Sequence, residues 1–417
     1  VGALGWSPNG SRLCAVATDL PGGHVGPLVY QGRVYALEEG GEPIPMSDTS
    51  FAPATVAAPQ HRGITMYWSA DGDIHFLASR AGRSHLCSVP DIGGKTRVLA
   101  DEPAVCSSLS ASGDGPVFAM LGSGPSDPGN IWTWQTSEGR LTRVTGCNDG
   151  YLAERPPARL EKGSVTRDGM DIEYRVLFPP DAGVGSGPLP LVLDIHGGPN
   201  GAFYDSFVPW QQILASHGYA VLAVNPRGSS TYGADFMMSV LGDWGGEDYL
   251  DLMHVLDRVS VWPEIDESRM GVHGYSYGGY MTCWAIGHTN RFRAAVAGAP
   301  CTDLVSMYGT SDIGVSFGEK HWGGARRENI DRALDRSPIT HAGAIETPLL
   351  LMHGEADVRV PIGQSEEMYV SLKRARKPVK FVRFPDCSHL FLRGGRPSLR
   401  EEYHRRLLDW FDRHLAG

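Results

Sequence analysis

The sequence predicts a doubly wound, mostly parallel α/β sheet preceded by a partial all-β propeller. Three observations carry this. After about residue 158, short continuous apolar runs alternate with segments of helical periodicity. Before it, a strand–turn–strand unit recurs three times. At residues 274–278 a Gly-Tyr-Ser-Tyr-Gly pentapeptide stands between an apolar run and a helix-like run. Strand, tight turn and helix is the context in which a G-x-S-x-G serine is thrust clear of a sheet.

The chain has 417 residues, with room for two or three domains and a sizeable core. Its 41% hydrophobic and 20% charged content is ordinary for a globular protein. A formal charge of −10 argues against a nucleic-acid partner. No apolar run reaches the ~18 residues that would span a membrane, and no signal peptide is visible. Seven scattered cysteines without a C-x-x-C pair suggest free thiols and a cytoplasmic protein, not a disulfide framework. The first residue is Val1, so a processed or truncated chain, or one part of a longer precursor, is expected.

In the propeller region, Trp6-Ser7-Pro8-Asn9-Gly10-Ser11 precedes the apolar run 13–17. Trp68-Ser69-Ala70-Asp71-Gly72-Asp73 precedes 74–78, and Leu109-Ser110-Ala111-Ser112-Gly113-Asp114 precedes 117–121. The step from 68 to 109 fits the ~40–45-residue period of four-stranded blades. Further strands are expected at 33–37, 84–89 and 96–99. An all-β sandwich with similar hairpins is the competing arrangement. At about 42 residues per blade the region holds three to four blades, fewer than the roughly 4–8 that close a ring. A second chain completing the propeller is therefore expected as a partner, unless the remaining residues were lost, and a homo-oligomer is expected too. Residues 148–157, rich in Gly and Asp and ending in Pro156-Pro157, read as the linker. The expected domains are 1–157 and 158–417.

In the second domain, strands are expected at 172–178, 189–195, 220–224, 270–272, 293–297, 348–352 and 379–384. The run 189–195 is nearly unbroken apolar sequence, as a parallel strand buried on both faces requires. Helices are expected at 204–217 (closed by Gly218), 247–261, 279–286, 364–376 and 399–415. Functional groups in such sheets gather at the carboxyl ends of the strands.

Ser276 is the candidate nucleophile. A serine hydroxyl attacks only when a base takes its proton, and the base needs a third group to fix its tautomer. In this fold the expected order is Ser, then Asp or Glu, then His. Asp357 follows the strand at 348–352 and is the candidate orienter, with Glu355 as competitor; His389 follows the strand at 379–384 and is the candidate base. His353 reads as a structural hydrogen-bonding residue. The developing oxyanion needs two N–H donors: the amide of Tyr277 and, from His196-Gly197-Gly198-Pro199, the amide of Gly198. Asn225-Pro226-Arg227-Gly228-Ser229 is expected to brace these loops. H-E-x-x-H and Walker A patterns are absent and the histidines are dispersed, so no metal and no cofactor are expected.

Taken together, His196 to Pro199, Asn225 to Ser229, Gly242-Asp243-Trp244-Gly245-Gly246, the stretch 274–282, Gly309-Thr310-Ser311-Asp312, His353 to Pro361, and His389 with Arg393-Gly394-Gly395-Arg396-Pro397 resemble the prolyl oligopeptidase family of serine peptidases. The acylaminoacyl-peptidase branch is the nearest likeness. The resemblance implies a propeller over an α/β-hydrolase that cleaves short peptides or N-acylated amino acids, with access restricted by the propeller. It implies Ser276, Asp357 and His389 as triad and Gly198 and Tyr277 as oxyanion donors. It implies that Arg359, two residues after the triad acid, holds a substrate carbonyl. Phe317 and Trp322 are expected in the S1 pocket, plain core being the alternative. Other branches place a tyrosine hydroxyl in the oxyanion hole from the loop occupied here by His196-Gly197-Gly198, which lacks one. Exopeptidase and endopeptidase action both stay open. So do dipeptidyl- or aminopeptidase activity, ester or aminoacyl-amide (antibiotic) hydrolysis, and an inactive scaffold.

Overall fold

A computed structural model describes residues 4–17, 32–53, 66–113, 117–182, 187–325 and 327–415. They fall into two compact units. One comprises residues 1–156 with the short segments 202–208 and 230–237; the other comprises 157–201, 209–229 and 238–417.

The first unit is β-rich, of the propeller type, with three successive groups of four antiparallel strands. These are Leu4–Trp6, Leu13–Ala17, Arg33–Leu37 and Ile44–Pro45; then Met66–Trp68, Asp73–Arg80, Arg83–Pro90 and Arg97–Ala100; then Val105–Ala111, Val117–Gly124, Asp127–Gln135 and Arg140–Arg143. The recurrent turn explains the repeat. The Ser7 amide donates to the Arg12 carbonyl at 2.9 Å, and the Ser69 and Ser112 amides donate to Asp73 and Val117 at the same distance. In the first two turns the serine hydroxyl also reaches the Asn9 or Asp71 side chain. Asp114, the last residue of the third motif, lies outside the described residues. Successive residues of the longer strands face opposite sides, so Cys14, Val34, Ile74, Phe76, Cys87 and Val89 form one buried cluster and Leu77, Leu86, Phe118 and Met120 another. The second blade's hairpin holds the two short segments: the Gly82 amide donates to the Thr231 hydroxyl at 2.9 Å and the Asp205 amide to the Gly82 carbonyl at 2.8 Å.

The second unit is an α/β-hydrolase. Its strands are β1 (Arg159–Arg167), β2 (Met170–Phe178), β3 (Leu189–Ile195), β4 (Ala220–Asn225), β5 (Ile265–Tyr275), β6 (Ala294–Gly298), β7 (Leu349–Gly354) and β8 (Val379–Phe384). They pair in the order β1-β2-β4-β3-β5-β6-β7-β8; β1–β2 and β2–β4 are antiparallel and the rest parallel. From β3 the chain passes to β4 on one side and then to β5 on the other. The carboxyl ends of β3 and β5 therefore flank a topological switch point, where such sheets bind ligands. Every residue of β4, β6 and β7 is buried. The helix Glu247–Ser260 buries Leu252, Val255, Leu256 and Val259, the four residues at helical spacing. The closing helix Pro397–Leu415 packs Tyr403, Leu407 and Phe411 into the core beside Val192, Val221 and Met352.

The structure adds helices beyond those expected, among them Ala234–Met238, Leu304–Thr310, Gly314–His321 and Ile330–Asp335, and the strand expected at 270–272 runs from Ile265 to Tyr275. Three further differences have a clear physical reason. The helix expected at 204–217 is Pro209–Ser216; Pro209 supplies the preset φ of a first helical residue, so the helix starts there. The linker contains a short helix, Asp149–Glu154, whose first-turn Asp149 suits the positive end of the helix dipole and is held by Arg143 at 2.9 Å. The hairpin strand β1 has no counterpart in the sequence pattern, because its charged, largely exposed residues show no apolar periodicity. No helix among the described residues is long and apolar enough to cross a membrane.

Candidate active site

The site is built at the carboxyl ends of β3, β5, β7 and β8. Ser276 links β5 to the helix Tyr277–His288 and has φ 63° and ψ −120°. A non-glycine residue there stores about 1–3 kcal/mol, which the surroundings must offset. They do so through the backbone: the Ser276 amide donates to the Gly298 carbonyl at 2.8 Å, and its carbonyl accepts from the Tyr280 amide at 2.9 Å. The flanking glycines are required by contact. A Cβ on Gly278 would stand 2.1 Å from the Ile195 carbonyl oxygen, and one on Gly274 2.3 Å from the Gly278 backbone.

β7 delivers Asp357 and β8 delivers His389. The two loops are tied together, since the Glu355 amide donates to the Phe384 carbonyl at 2.9 Å and the Ala356 amide to the Cys387 carbonyl at 3.0 Å. His389 Nε2 lies 2.9 Å from Ser276 Oγ and Nδ1 lies 2.7 Å from Asp357 Oδ2. A carboxylate only accepts, so Nδ1 carries the proton and Nε2 turns its lone pair to the hydroxyl. The other oxygen, Oδ1, accepts from the Arg359 amide at 3.0 Å and the Val360 amide at 2.9 Å. Burial alone would raise the Asp357 carboxyl. Hydrogen bonds from His353, His389 and the Val360 amide outweigh it and hold the carboxyl well below the usual range.

Neither competing residue takes the base or acid place, although His353 stands behind the acid with its Nε2 3.4 Å from Asp357 Oδ2. Glu355 pairs with Arg383 at 2.8 Å. His353 is fully buried, its Nε2 donating to the Val360 carbonyl at 2.8 Å while Nδ1 meets the Ser365 hydroxyl at 2.7 Å.

Gly197 borders the serine: a Cβ there would lie 3.6 Å from Ser276 Cβ. Gly198 follows with φ 135°. Tyr277 is the first residue of its helix, so its amide has no carbonyl one turn back to bond. The loop after β4 braces the loop after β3: His196 Nε2 meets the Ser229 hydroxyl at 2.9 Å, and Asn200 Nδ2 donates to the Gly228 carbonyl at 2.8 Å. That bracing loop is anchored by Arg227, whose Nε and Nη2 both bond the buried Asp251 at 2.8 Å. Burial pushes His196 down to about 4, so it stands neutral beside the site.

Arg359 does not pair with Asp357 through its side chain. Its guanidinium forms a fork on Asp312, at 2.8 and 3.2 Å. The Gly309–Asp312 motif gives no hint of this partnership. Phe317 and Trp322 lie in a buried aromatic cluster with Trp244, their ring centroids 5.8 and 5.3 Å from it. Tyr277 joins the same cluster at 4.9 Å and donates its hydroxyl to Asp248, a buried carboxyl that burial raises to about 7. Among the described residues no group of three or more His, Cys, Asp or Glu side chains is arranged to hold a metal ion.

Residues 206–417 match the prolyl oligopeptidase family. The chain belongs to that family. It is 34% identical over 390 residues to the uncharacterized peptidase YuxL of Bacillus subtilis (strain 168), covering 93% of this chain and 58% of that one. It is 32% identical over 283 residues to the human acylamino-acid-releasing enzyme, covering 64% of this chain and 37% of that one. Its fold matches the acylaminoacyl peptidase of Pyrococcus horikoshii with a TM-score of 0.85 at 24% identity, over 97% of this chain and 62% of that one. The chain thus spans less than two thirds of the length of each of these relatives.

Proposed function

We propose that this chain carries the catalytic machinery of a serine peptidase that hydrolyses amide bonds of short peptides or N-acylated amino acids. The observation that carries the reading is the Ser276–His389–Asp357 relay, with its 2.9 and 2.7 Å bonds. Ser276 Oγ attacks the carbonyl carbon as its proton passes to His389 Nε2. The carbonyl oxygen becomes an oxyanion facing the amides of Gly198 and Tyr277. The C–N bond then breaks, and the departing amine takes the proton from His389. Water, deprotonated by the same imidazole, attacks the acyl-serine ester; the acid leaves and Ser276 recovers its proton.

Arg359, steadied by Asp312, offers its remaining N–H groups to a substrate carbonyl. Phe317 and Trp322 supply apolar surface for the side chain at the cleaved bond. A cytoplasmic setting agrees with seven free cysteines. The test is turnover of acetyl-amino-acid anilides and short peptides beside free aminoacyl anilides and nitrophenyl esters. Amide cleavage of blocked substrates supports the reading. Turnover of esters alone overturns the peptidase assignment, and a preference for free aminoacyl amides overturns the acylated-substrate assignment.

A further inference from the structure

We propose that Tyr275, the residue preceding the nucleophile, is a positioning residue that ties the catalytic histidine to the nucleophile's own strand. The inference rests on the reading of His389 as the base. The Tyr275 hydroxyl donates to the His389 backbone carbonyl at 3.0 Å. The two rings lie 5.3 Å apart, so the phenol also packs beside the imidazole.

The tether has a rigid origin. Tyr275 is the last residue of β5, in register with Gly298 of β6. Its ring lies over Gly298, where a Cβ would come 2.4 Å from Tyr275 Cδ2. Tyr403, fixed in the core, meets it edge-on at 6.1 Å. Burial first, then the neighbouring Tyr403 and Asp357, raise the phenol well above its ordinary value, so it stays a donor at working pH.

His389 needs such a tether. Asp357 fixes one ring nitrogen, but the bond from Nε2 to Ser276 is the one that changes as the proton moves, so ring placement then rests on the backbone that carries it. Before the histidine the loop is held at Cys387 by the Ala356 amide at 3.0 Å, and after it the Phe391 amide reaches the Ser388 carbonyl at 3.1 Å. Tyr275 adds a second fixed point at the histidine backbone. The positions of Oγ and Nε2 are then set through one short covalent path, Ser276 to Tyr275. A general base must hold hydrogen-bond reach to the nucleophile and then to the leaving group, and small misplacements are costly.

Tyr275→Phe keeps the ring and removes the tether. Its kcat should fall about 5- to 20-fold with KM within about two-fold, because no substrate contact is lost. Labelling of Ser276 by a fluorophosphonate should slow by the same factor. The low-field proton resonance of His389 Nδ1–H should exchange faster with solvent than in the wild type. A merely structural role would lower the melting temperature and leave these three readouts unchanged. Wild-type kcat and labelling rate in a folded Tyr275→Phe protein overturn the inference. If the Phe variant does not fold, Tyr275→Leu decides: lacking ring and hydroxyl, it must lose at least as much, and wild-type kcat in it overturns the tether. The wild type is assayed in parallel. An inert wild type removes the hydrolase reading and this inference with it, whereas an active wild type matched by both variants removes the inference alone.

Discussion

Asp357→Asn isolates the orienting role of the carboxylate without changing its size. The backbone decides how the asparagine side chain sits. Oδ1 faces two donors, the Arg359 and Val360 amides, so the oxygen of the new carboxamide is held there. Its NH2 then occupies the place of Oδ2 and points at His389 Nδ1, 2.7 Å away, while the His353 Nε2–H at 3.4 Å keeps its shorter bond to the Val360 carbonyl at 2.8 Å. The imidazole must accept at Nδ1 and carry its proton on Nε2, facing the hydroxyl it should deprotonate. The opposite rotamer restores the tautomer but turns NH2 against two backbone donors. At about 1–3 kcal/mol for each buried donor left unsatisfied, that costs about 2–6 kcal/mol. The productive arrangement is thus about 30- to 25,000-fold rarer, a range that includes the roughly 10,000-fold loss known for a wrong-tautomer triad. The assay is kcat on an acetyl-amino-acid anilide at pH 8, with circular dichroism confirming the fold. A loss under about ten-fold would refute the claim that Asp357 sets the tautomer.

Gly278→Ala should destabilise the protein by about 3 kcal/mol or more, seen as a lower urea midpoint, because its Cβ meets backbone at 2.1 Å. An unshifted midpoint would show that the turn has more room than the contact implies. His196 gives a pH dependence with a definite sign. Burial pushes it down to about 4 from about 6.5 in the unfolded chain, so the unfolded state binds more protons between those values. Stability from this group is complete above about pH 6.5 and is lost as pH falls toward 4, by about 3 kcal/mol. Urea titrations at pH 7, 5.5 and 4.5 measure this, and His196→Gln should flatten the curve. Arg359→Met should raise KM for acylated peptides about ten-fold with kcat less affected, and Asp312→Asn should act in the same direction more weakly, since Asp312 only steadies the guanidinium.

What the sequence made legible follows from how local each signal is. The run at 189–195 is apolar because both faces of β3 are buried. The Gly-Tyr-Ser-Tyr-Gly pentapeptide is legible because the strained turn tolerates nothing larger at its two ends. Asp357 and His389 could be found because each follows an apolar strand at its carboxyl end. Partnerships between distant surface groups leave no such trace. Arg359 and Asp312 are 47 residues apart and meet only in the folded chain. Tyr275 acts through a main-chain carbonyl 114 residues away, an acceptor every residue type presents equally. The start of the helix is marked by Pro209, a residue suited to a first helical position, but residues 204–208 hide it with an apolar pattern that belongs to a loop.

The account turns on Ser276 being the reactive alcohol and His389 the group that makes it so. The most direct measurement is the site and rate of fluorophosphonate labelling, read by intact mass and peptide mapping. The account predicts one adduct, on Ser276, absent from Ser276→Ala and slowed about a thousand-fold or more in His389→Ala. An adduct on another residue, or labelling of Ser276 at an undiminished rate without His389, would contradict it.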